Sequence, residues 1–154
     1  MKRVIKAIFG ISFIFYFLAL IYLLFLGFRG YMWLDQSLIE YIKLSSNFVP
    51  FKTISIYMKS IFYGSMNMDI PIKNLVGNFV LFLPMGMYLP FFTKKIDKVG
   101  LFSIYMVTLL FLIEVIQLLT RRGSFDIDDF ILNILGAWIG YGIWKTKFVE
   151  KLLK

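Results

Sequence analysis

The chain has 154 residues, of which 60% are hydrophobic, and it carries a formal net charge of +8. A soluble domain is closer to half apolar, so this composition indicates an integral membrane protein with no separate soluble domain. The absence of cysteine and histidine excludes disulfides, thiol chemistry and histidine-based catalysis, and it argues against zinc. Any acid–base chemistry would fall to Asp, Glu, Lys or Tyr.

Four apolar stretches are long enough to predict membrane-spanning helices. The first is longer than the core of a signal peptide and no small-residue cleavage site follows it, so we interpret it as a retained span. Together the stretches predict an all-α membrane protein, a four-transmembrane-helix bundle within a single domain of residues 1–154. The predicted spans cover residues 4–28, 75–92, 101–119 and 127–144.

Basic residues cluster in three short segments beside these stretches. Short basic segments are retained inside, so we expect both termini and the turn between the second and third spans to be cytoplasmic. The same distribution argues against a nucleic acid partner, because a nucleic-acid surface interleaves basic residues on a soluble face. The segments contain Lys2, Arg3, Lys6, Lys94, Lys95, Lys98, Lys145, Lys147, Lys151 and Lys154.

The first loop, residues 29–73, would then be extracytoplasmic. Residues 36–44 predict a short helix, and residues 51–62 place apolar side chains at helical spacing with Lys52 and Lys59 among them. The second pattern suits an interfacial or re-entrant helix at the membrane, and it suits a helix packed over the bundle equally well. The sequence leaves these alternatives open.

Polar side chains interrupt three of the predicted spans near their outer ends. Asn74 and Asn78 are four residues apart, and Glu114 and Gln117 are three apart, so each pair shares a helical face. In the fourth span, polar and small residues form a stripe along one face. The stripe consists of Asp126, Asp129, Asn133, Gly136 and Gly140.

These polar residues are also expected to lie at a similar depth in the membrane. Glu114 lies seven residues before Arg121 and Asn133 lies seven residues after Asp126, which is roughly 10 Å at the helical rise. We therefore expect the polar residues to line one cavity that opens to the outer face. Arg122 and the Asp cluster, which consists of Asp126, Asp128 and Asp129, would lie at its mouth. The predicted ligand-binding residues are Asn78, Glu114, Gln117, Arg122, Asp126, Asp129 and Asn133.

Glu114 is the strongest candidate for a functional residue. A carboxylate within a span costs roughly 2.5–3.5 kcal/mol, and Arg122 is the nearest candidate partner. Asn and Gln side chains also serve simply to join membrane helices, at about 1 kcal/mol each, and Asp126 is suited to cap the fourth span. The Asp-rich segment lacks the Gly and Glu of a calcium loop, and we predict no metal and no cofactor.

Glycine and proline predict two packing features. Gly136 and Gly140 form a Gly-x-x-x-Gly pair, which favours close contact between helices. Pro84 removes a backbone hydrogen bond and should kink the second span.

These segments resemble the VanZ-like family of small bacterial membrane proteins. The resemblance implies a polytopic protein of the bacterial cell envelope, in a family whose founding member is linked to resistance to the glycopeptide teicoplanin. The segments that carry it are Asn74-Leu-Val-Gly-Asn78 running into Phe82-Leu-Pro84-Met-Gly86, Glu114-x-x-Gln117, Arg122-Gly-Ser-Phe-Asp126-Ile-Asp-Asp129-Phe-Ile-Leu-Asn133-x-x-Gly136-x-x-x-Gly140 and Asn47-Phe-Val-Pro50-Phe51-Lys-Thr-Ile54.

Three functions are compatible with these features. The favoured one is recognition or handling of an envelope lipid or lipid-linked cell-wall precursor, with effects on glycopeptide susceptibility. Arg122 would meet a phosphate or carboxylate, while Glu114 and the Asp cluster would orient the ligand or meet an amine. The second is a carboxylate-based intramembrane hydrolase or transferase with Glu114 as the catalytic general base. The third is a structural partner in an envelope complex.

Overall fold

The computed structural model describes residues 2–27, 37–93 and 95–153. Helices dominate these ranges, and two short strands form a single parallel pair. The helices are α1 (Lys2–Ile21, continued by a π-helical turn over Tyr22–Leu26), α2 (Leu38–Leu44), α3 (Lys52–Tyr63), α4 (Asp69–Leu81), α5 (Met85–Phe92), α6 (Val99–Leu119), α7 (Ile127–Trp144) and α8 (Lys147–Leu153). The strands are β1 (Ser46–Asn47) and β2 (Phe125–Asp126).

The prediction of an all-α membrane protein is confirmed. Within the described ranges, three helical segments are long and apolar enough to cross a membrane, namely Lys2–Leu26, Asp69–Phe92 and Val99–Leu119. The fourth predicted span is a helix over the predicted residues, α7, but it is not one of these three. It begins with two aspartates in its first turn, which lower its apolar character.

The second span begins six residues earlier than predicted, at Asp69. An acidic residue in the first turn stabilises the positive end of a helix, and Lys73 pairs with Asp69 at 3.4 Å one turn later. The predicted boundaries at residues 28 and 36 lie outside the described residues, as do Lys94 and Lys154.

The predicted kink at Pro84 is a complete break between α4 and α5. Pro84 cannot donate a backbone hydrogen bond. The preceding amide of Leu83 donates to the Val80 carbonyl at 3.2 Å, which is a tighter turn than an α-helix allows. The helix is therefore interrupted where it packs against α7.

Glycines let α7 approach α4 and α5 closely. A Cβ atom added at Gly136 would lie 1.8 Å from the Phe79 carbonyl oxygen, and one at Gly140 would lie 1.9 Å from that of Leu83. Real Cβ atoms do not approach backbone this closely, so only glycine fits. The predicted Gly-x-x-x-Gly contact is confirmed, and it positions α7 against the broken span.

The bundle has two chemically distinct ends. We call the end that contains Lys6, Asp97 and Lys145 the basic end, and the end that contains Asp126 to Asp129 the acidic end. Contacts between helices fix their relative levels: Tyr16 donates to the Leu81 carbonyl at 2.9 Å, Ser12 and Tyr88 hydroxyls lie 2.8 Å apart, and Tyr141 donates to the Asp97 carbonyl at 2.7 Å.

At the acidic end, α3 packs over the bundle against α4 and α7. The β1–β2 pair aligns Ser46 with Phe125 and Asn47 with Asp126, so it joins the first loop to the turn before α7. Much of the apolar side-chain surface of α3 nevertheless faces outward, including that of Phe62 and Tyr63. The helix therefore packs over the bundle, as one of the two alternatives predicted. Its placement at a membrane interface stays a prediction.

Candidate functional site

Asp126 joins three parts of the chain at the acidic end. Its Oδ1 accepts hydrogen bonds from the Asp128 amide at 2.9 Å and from Asn47 Nδ2 at 3.0 Å, and its Oδ2 accepts from the Thr53 hydroxyl at 2.6 Å. The bond from Asp128 makes Asp126 the N-cap of α7, as the sequence suggested. The other two bonds attach the first loop.

Asp128 holds the N-terminus of α3. It is completely buried, at 0% exposure. Its two oxygens accept hydrogen bonds from the backbone amides of Phe51 at 2.5 Å, Thr53 at 2.7 Å and Ile54 at 3.1 Å. A helix N-terminus has unpaired amides and a partial positive charge, so a carboxylate is well suited there. Asp128 thus has a structural role, and it was not among the predicted site residues.

Asn47 and Thr53 are polar partners of Asp126 that were not among the predicted site residues. Both contact Asp126, and Asn47 Nδ2 also lies 3.2 Å from the Thr53 hydroxyl. The signal available in the sequence was the first-loop segment itself, which carries these two polar residues. Their partner, however, lies more than 70 residues later in the chain.

Asp129 pairs with Asn78 across α7 and α4. Asn78 Nδ2 donates to Asp129 Oδ1 at 2.5 Å. Tyr57 of α3 is partly buried near this pair: burial, and then the negative charges of Asp129 and Asp126, raise the pKa of its hydroxyl. Side chains from three helices therefore converge on Asp129.

Glu114 and Gln117 lie on the buried face of α6. That face continues from Phe102 through Met106 and Leu110. Gln117 Nε2 donates to the Leu24 carbonyl at 2.8 Å, so Gln117 ties α6 to the π-helical end of the first span. Glu114 is only 5% exposed. Its carboxylate is therefore inside the bundle.

The depth of Glu114 follows from a ring contact near the other end. Phe102 stacks on Tyr141 with ring centroids 4.4 Å apart, which aligns the antiparallel helices α6 and α7. Twelve residues separate Phe102 from Glu114, and twelve separate Asp129 from Tyr141. At the helical rise this is roughly 18 Å along each helix, so Glu114 lies at about the depth of Asp129.

Asn133 is a buried amide one turn deeper than Asp129. It is 3% exposed, and its Oδ1 atom accepts no hydrogen bond from the described part of the chain. An unsatisfied buried acceptor costs about 1–3 kcal/mol. A ligand or water that donates a hydrogen bond would remove this cost.

Arg122 lies on the turn between α6 and β2, and its side chain is exposed. It forms no salt bridge with any described residue, so the expected pairing of Arg122 with Glu114 is not present. The neighbouring Arg121 lies over the Tyr41 ring at 5.8 Å, and the Tyr41 hydroxyl donates to the Gly123 carbonyl at 2.8 Å. This turn is therefore attached to α2.

The predicted residues thus divide by position. Asn78, Asp126 and Asp129 lie at the acidic end near α3. The side chains of Glu114, Gln117 and Asn133 are buried in the bundle, and that of Arg122 is exposed. That they line one cavity remains a prediction. Two cavities that the structure contains lie elsewhere, one of about 430 Å³ at the basic end and one of about 300 Å³ on the outer side of α6. Over the described ranges, no group of three or more acidic side chains could hold a metal ion.

Comparison with known proteins identifies the family. The family model described as VanZ/LLP1 matches residues 13–149. Protein VanZ from Enterococcus faecium is 29% identical over 84 residues, which cover 53% of this chain and 52% of that protein. The chain thus spans about half the length of this relative, and no solved structure matches it. The family model covers most of the chain and confirms the resemblance, so this helical membrane protein belongs to the VanZ/LLP1 family.

Proposed function

We propose that the acidic end of this protein recognises an envelope lipid or a lipid-linked cell-wall precursor. The observation that carries the proposal is the buried carboxylate of Glu114, within a helix apolar enough to span a membrane. Asp126 and Asp128 are explained by the helix termini they cap, whereas Glu114 lies in the interior of α6. An intramembrane carboxylate is costly and is therefore a functional candidate by default.

Neighbouring polar groups support a ligand that donates hydrogen bonds. The Asn133 Oδ1 atom has no donor among the described residues, and Asp129 lies at about the depth of Glu114. Sugar hydroxyls or the amines of a peptide would suit these acceptors. Arg122, exposed at the turn, would meet a phosphate or carboxylate of the same ligand through its planar guanidinium.

The surface of α3 supports access from the membrane. Its exposed apolar side chains alternate with Lys52 and Lys59, which are also exposed. A helix of this composition suits the headgroup level of a bilayer, where apolar side chains meet acyl chains and lysines meet phosphates. A lipid would then reach the acidic end laterally instead of through water.

Orientation is a second part of the proposal. The basic end gathers the flanking lysines, including Lys6, Lys95 and Lys147, and we propose that it faces the cytoplasm of a bacterial cell. The acidic end would then face outward from the cytoplasmic membrane, where cell-wall precursors are used. An effect on teicoplanin susceptibility would follow if the protein alters access to those precursors, in keeping with the resistance linked to the founding member of the family.

The orientation is testable because the chain has no cysteine. Ser65 lies at the acidic end and Thr146 at the basic end, and both are exposed. An impermeant maleimide should label the Ser65→Cys variant in intact cells and the Thr146→Cys variant only after permeabilisation. The reverse pattern would contradict the orientation and the outward-facing site.

The ligand is testable by mass spectrometry of lipids that copurify with the full chain. Enrichment of a lipid-linked precursor over the whole-membrane extract is expected, and it should be lost in Glu114→Gln. The matched control is Glu40→Gln, which removes an exposed carboxylate at the same end. A glutamine side chain at this position would still satisfy the capping box that Ser37 and Glu40 form at the start of α2, so lipid enrichment should be unchanged.

Other outcomes would decide between the alternatives. Identical lipid profiles in the original protein and in Glu114→Gln would contradict recognition at this site and would favour the structural-partner function. Conversion of the bound lipid by the purified protein, lost in Glu114→Gln, would favour the hydrolase or transferase function instead.

A further inference from the structure

Helix α3 is attached to the rest of the acidic end by hydrogen bonds at its N-terminus. Asp128 accepts from three backbone amides there, and the Thr53 hydroxyl donates to Asp126. We call these four hydrogen bonds the latch. Among the residues that the structure describes, the last two turns of α3 form no hydrogen bond with α4 or α7. The helix is therefore fastened at one end only.

The packed surface of α3 is small. Of its 12 residues only Ser60 is buried, at 1% exposure. Thr53, Tyr57 and Ser60 follow one another at spacings of four and three residues, so these three hydroxyl side chains share one face of the helix. Phe62 and Tyr63, by contrast, are exposed. A segment with few buried apolar contacts needs little free energy to open.

The backbone is left-handed at both ends of α3. Phe51, the N-cap, has a φ of 63°, and Gly64, the C-cap, has a φ of 62°. Glycine adopts this conformation freely, whereas a bulky side chain is strained in it. The latch holds Phe51 there, because its amide donates to Asp128. A Cβ atom added at Gly64 would meet nothing within 4 Å, so this end has room to rotate.

We propose that α3 is a lid, which swings about Gly64 when its N-terminus leaves Asp126 and Asp128. The helix packs against α4 and α7, which carry the Asn78–Asp129 pair, so its departure uncovers that pair. Opening also lets Phe51 leave its strained conformation. The purpose of the lid rests on the proposed function, since opening would give an envelope lipid lateral access to the recognition site. The motion itself can be measured without any lipid.

Ser60 is suited to report the motion, because the chain has no cysteine. Ser60→Cys changes one atom and places a thiol on the packed face of α3. In detergent, N-ethylmaleimide should label it faster than Met106→Cys, which reports global unfolding because Met106 is buried within α6. Labelling should also outpace hydrogen exchange of the α3 backbone amides, because a lid moves as an intact helix.

Two variants should change the labelling of Ser60→Cys in opposite directions. Asp128→Asn weakens the latch and should speed up labelling by about tenfold or more. Phe51→Asn should slow it several-fold, because asparagine tolerates the left-handed conformation and keeps the amide that donates to Asp128. The matched control is Phe62→Asn, which changes an exposed phenylalanine of the same helix outside the latch and should leave the rate unchanged.

Access to the recognition site can be measured with a second thiol. Asn133 is 3% exposed, so the Asn133→Cys thiol should be labelled slowly while the lid is closed. Its labelling should speed up in Asp128→Asn and slow down in Phe51→Asn, in parallel with that of Ser60→Cys.

Three results would overturn the lid. Equal labelling of Ser60→Cys and Met106→Cys would show that α3 separates only when the whole protein unfolds. Labelling no faster than amide exchange would show that the helix unravels instead of swinging. A response of Ser60→Cys without one of Asn133→Cys would show that α3 moves but does not cover the site.

Failure of the lid and failure of the proposed function give different results. If the acidic end recognises no lipid, Glu114→Gln leaves the lipid profile unchanged, while the labelling rates still respond to Asp128→Asn and Phe51→Asn. If α3 is not a lid, the labelling rates fail to respond in this way, while the loss of lipid enrichment in Glu114→Gln remains.

Discussion

The two ends of the bundle place their charges in opposite ways. At the acidic end, Asp126 and Asp128 are buried, and backbone amides and side chains of the first loop surround them. At the basic end, Lys145 pairs with Asp97, whose side chain is 71% exposed. Buried carboxylates that accept hydrogen bonds from amides fix the positions of the segments that carry those amides, whereas exposed ion pairs contribute little to stability. The carboxylates of the acidic end therefore hold segments of the fold in place, whereas the ion pair of the basic end contributes little to stability.

The strongest test of this contrast compares two glycines of α7. Gly136→Ala should destabilise the protein by about 3 kcal/mol or more, because the Phe79 backbone occupies the space and cannot move freely. Gly142→Ala, near the basic end, meets nothing within 4 Å and should stabilise the helix by up to about 1 kcal/mol. Thermal unfolding in detergent measures both. Equal shifts would show that close packing does not distinguish the ends.

The second test compares one aspartate from each end. Asp128→Asn places a side-chain amide where three backbone amides already donate hydrogen bonds. This change should lower the free energy of unfolding by about 2–3 kcal/mol. Asp97→Asn removes a largely exposed ion pair and should cost less than about 1 kcal/mol. Proteolysis of the α3 segment should accelerate in the first variant alone. A comparable loss in both would contradict the structural role assigned to Asp128.

Glu114→Gln separates function from stability within the acidic end. Arg122 is exposed, so this change does not leave it buried and unpaired. We expect a stability change of less than about 1 kcal/mol together with loss of lipid enrichment. If Glu114 is instead one partner of a structural ion pair, stability should fall by about 3–5 kcal/mol. Full lipid enrichment with unchanged thermal stability would exclude both roles.

The smallest effect concerns Glu40 in the capping box of α2. Hydrogen bonds from the Ser37 amide and hydroxyl lower the pKa of Glu40 below its ordinary value of 4.5. Its contribution to helix stability is therefore complete above that ordinary value and is lost as the pH falls through the lowered pKa. Hydrogen exchange of α2 amides should accelerate only under such acidic conditions. The same acceleration in Glu40→Gln would contradict this assignment.

Helix type and several packing features could be predicted because their causes are local. Each of these features can be recognised from residues that are close together in the sequence. They are the apolar runs, the missing amide hydrogen of Pro84 and the spacing of Gly136 and Gly140. The extent of α7 was predicted for this reason. The early start of α4 was missed, because Asp69 and Lys73 interrupt the apolar run while stabilising the helix that contains them.

The roles of the polar residues depended on distant parts of the chain. Asp126, Asp128 and Asp129 are neighbours in sequence, yet one caps α7, one holds the N-terminus of α3 and one pairs with Asn78. The amides of Phe51 and Thr53 lie 75–77 residues from Asp128, and every non-proline residue has such an amide. Composition and periodicity therefore predict that the acidic residues lie at one end of the bundle. Only the three-dimensional placement of the first loop decides which of these residues support the fold.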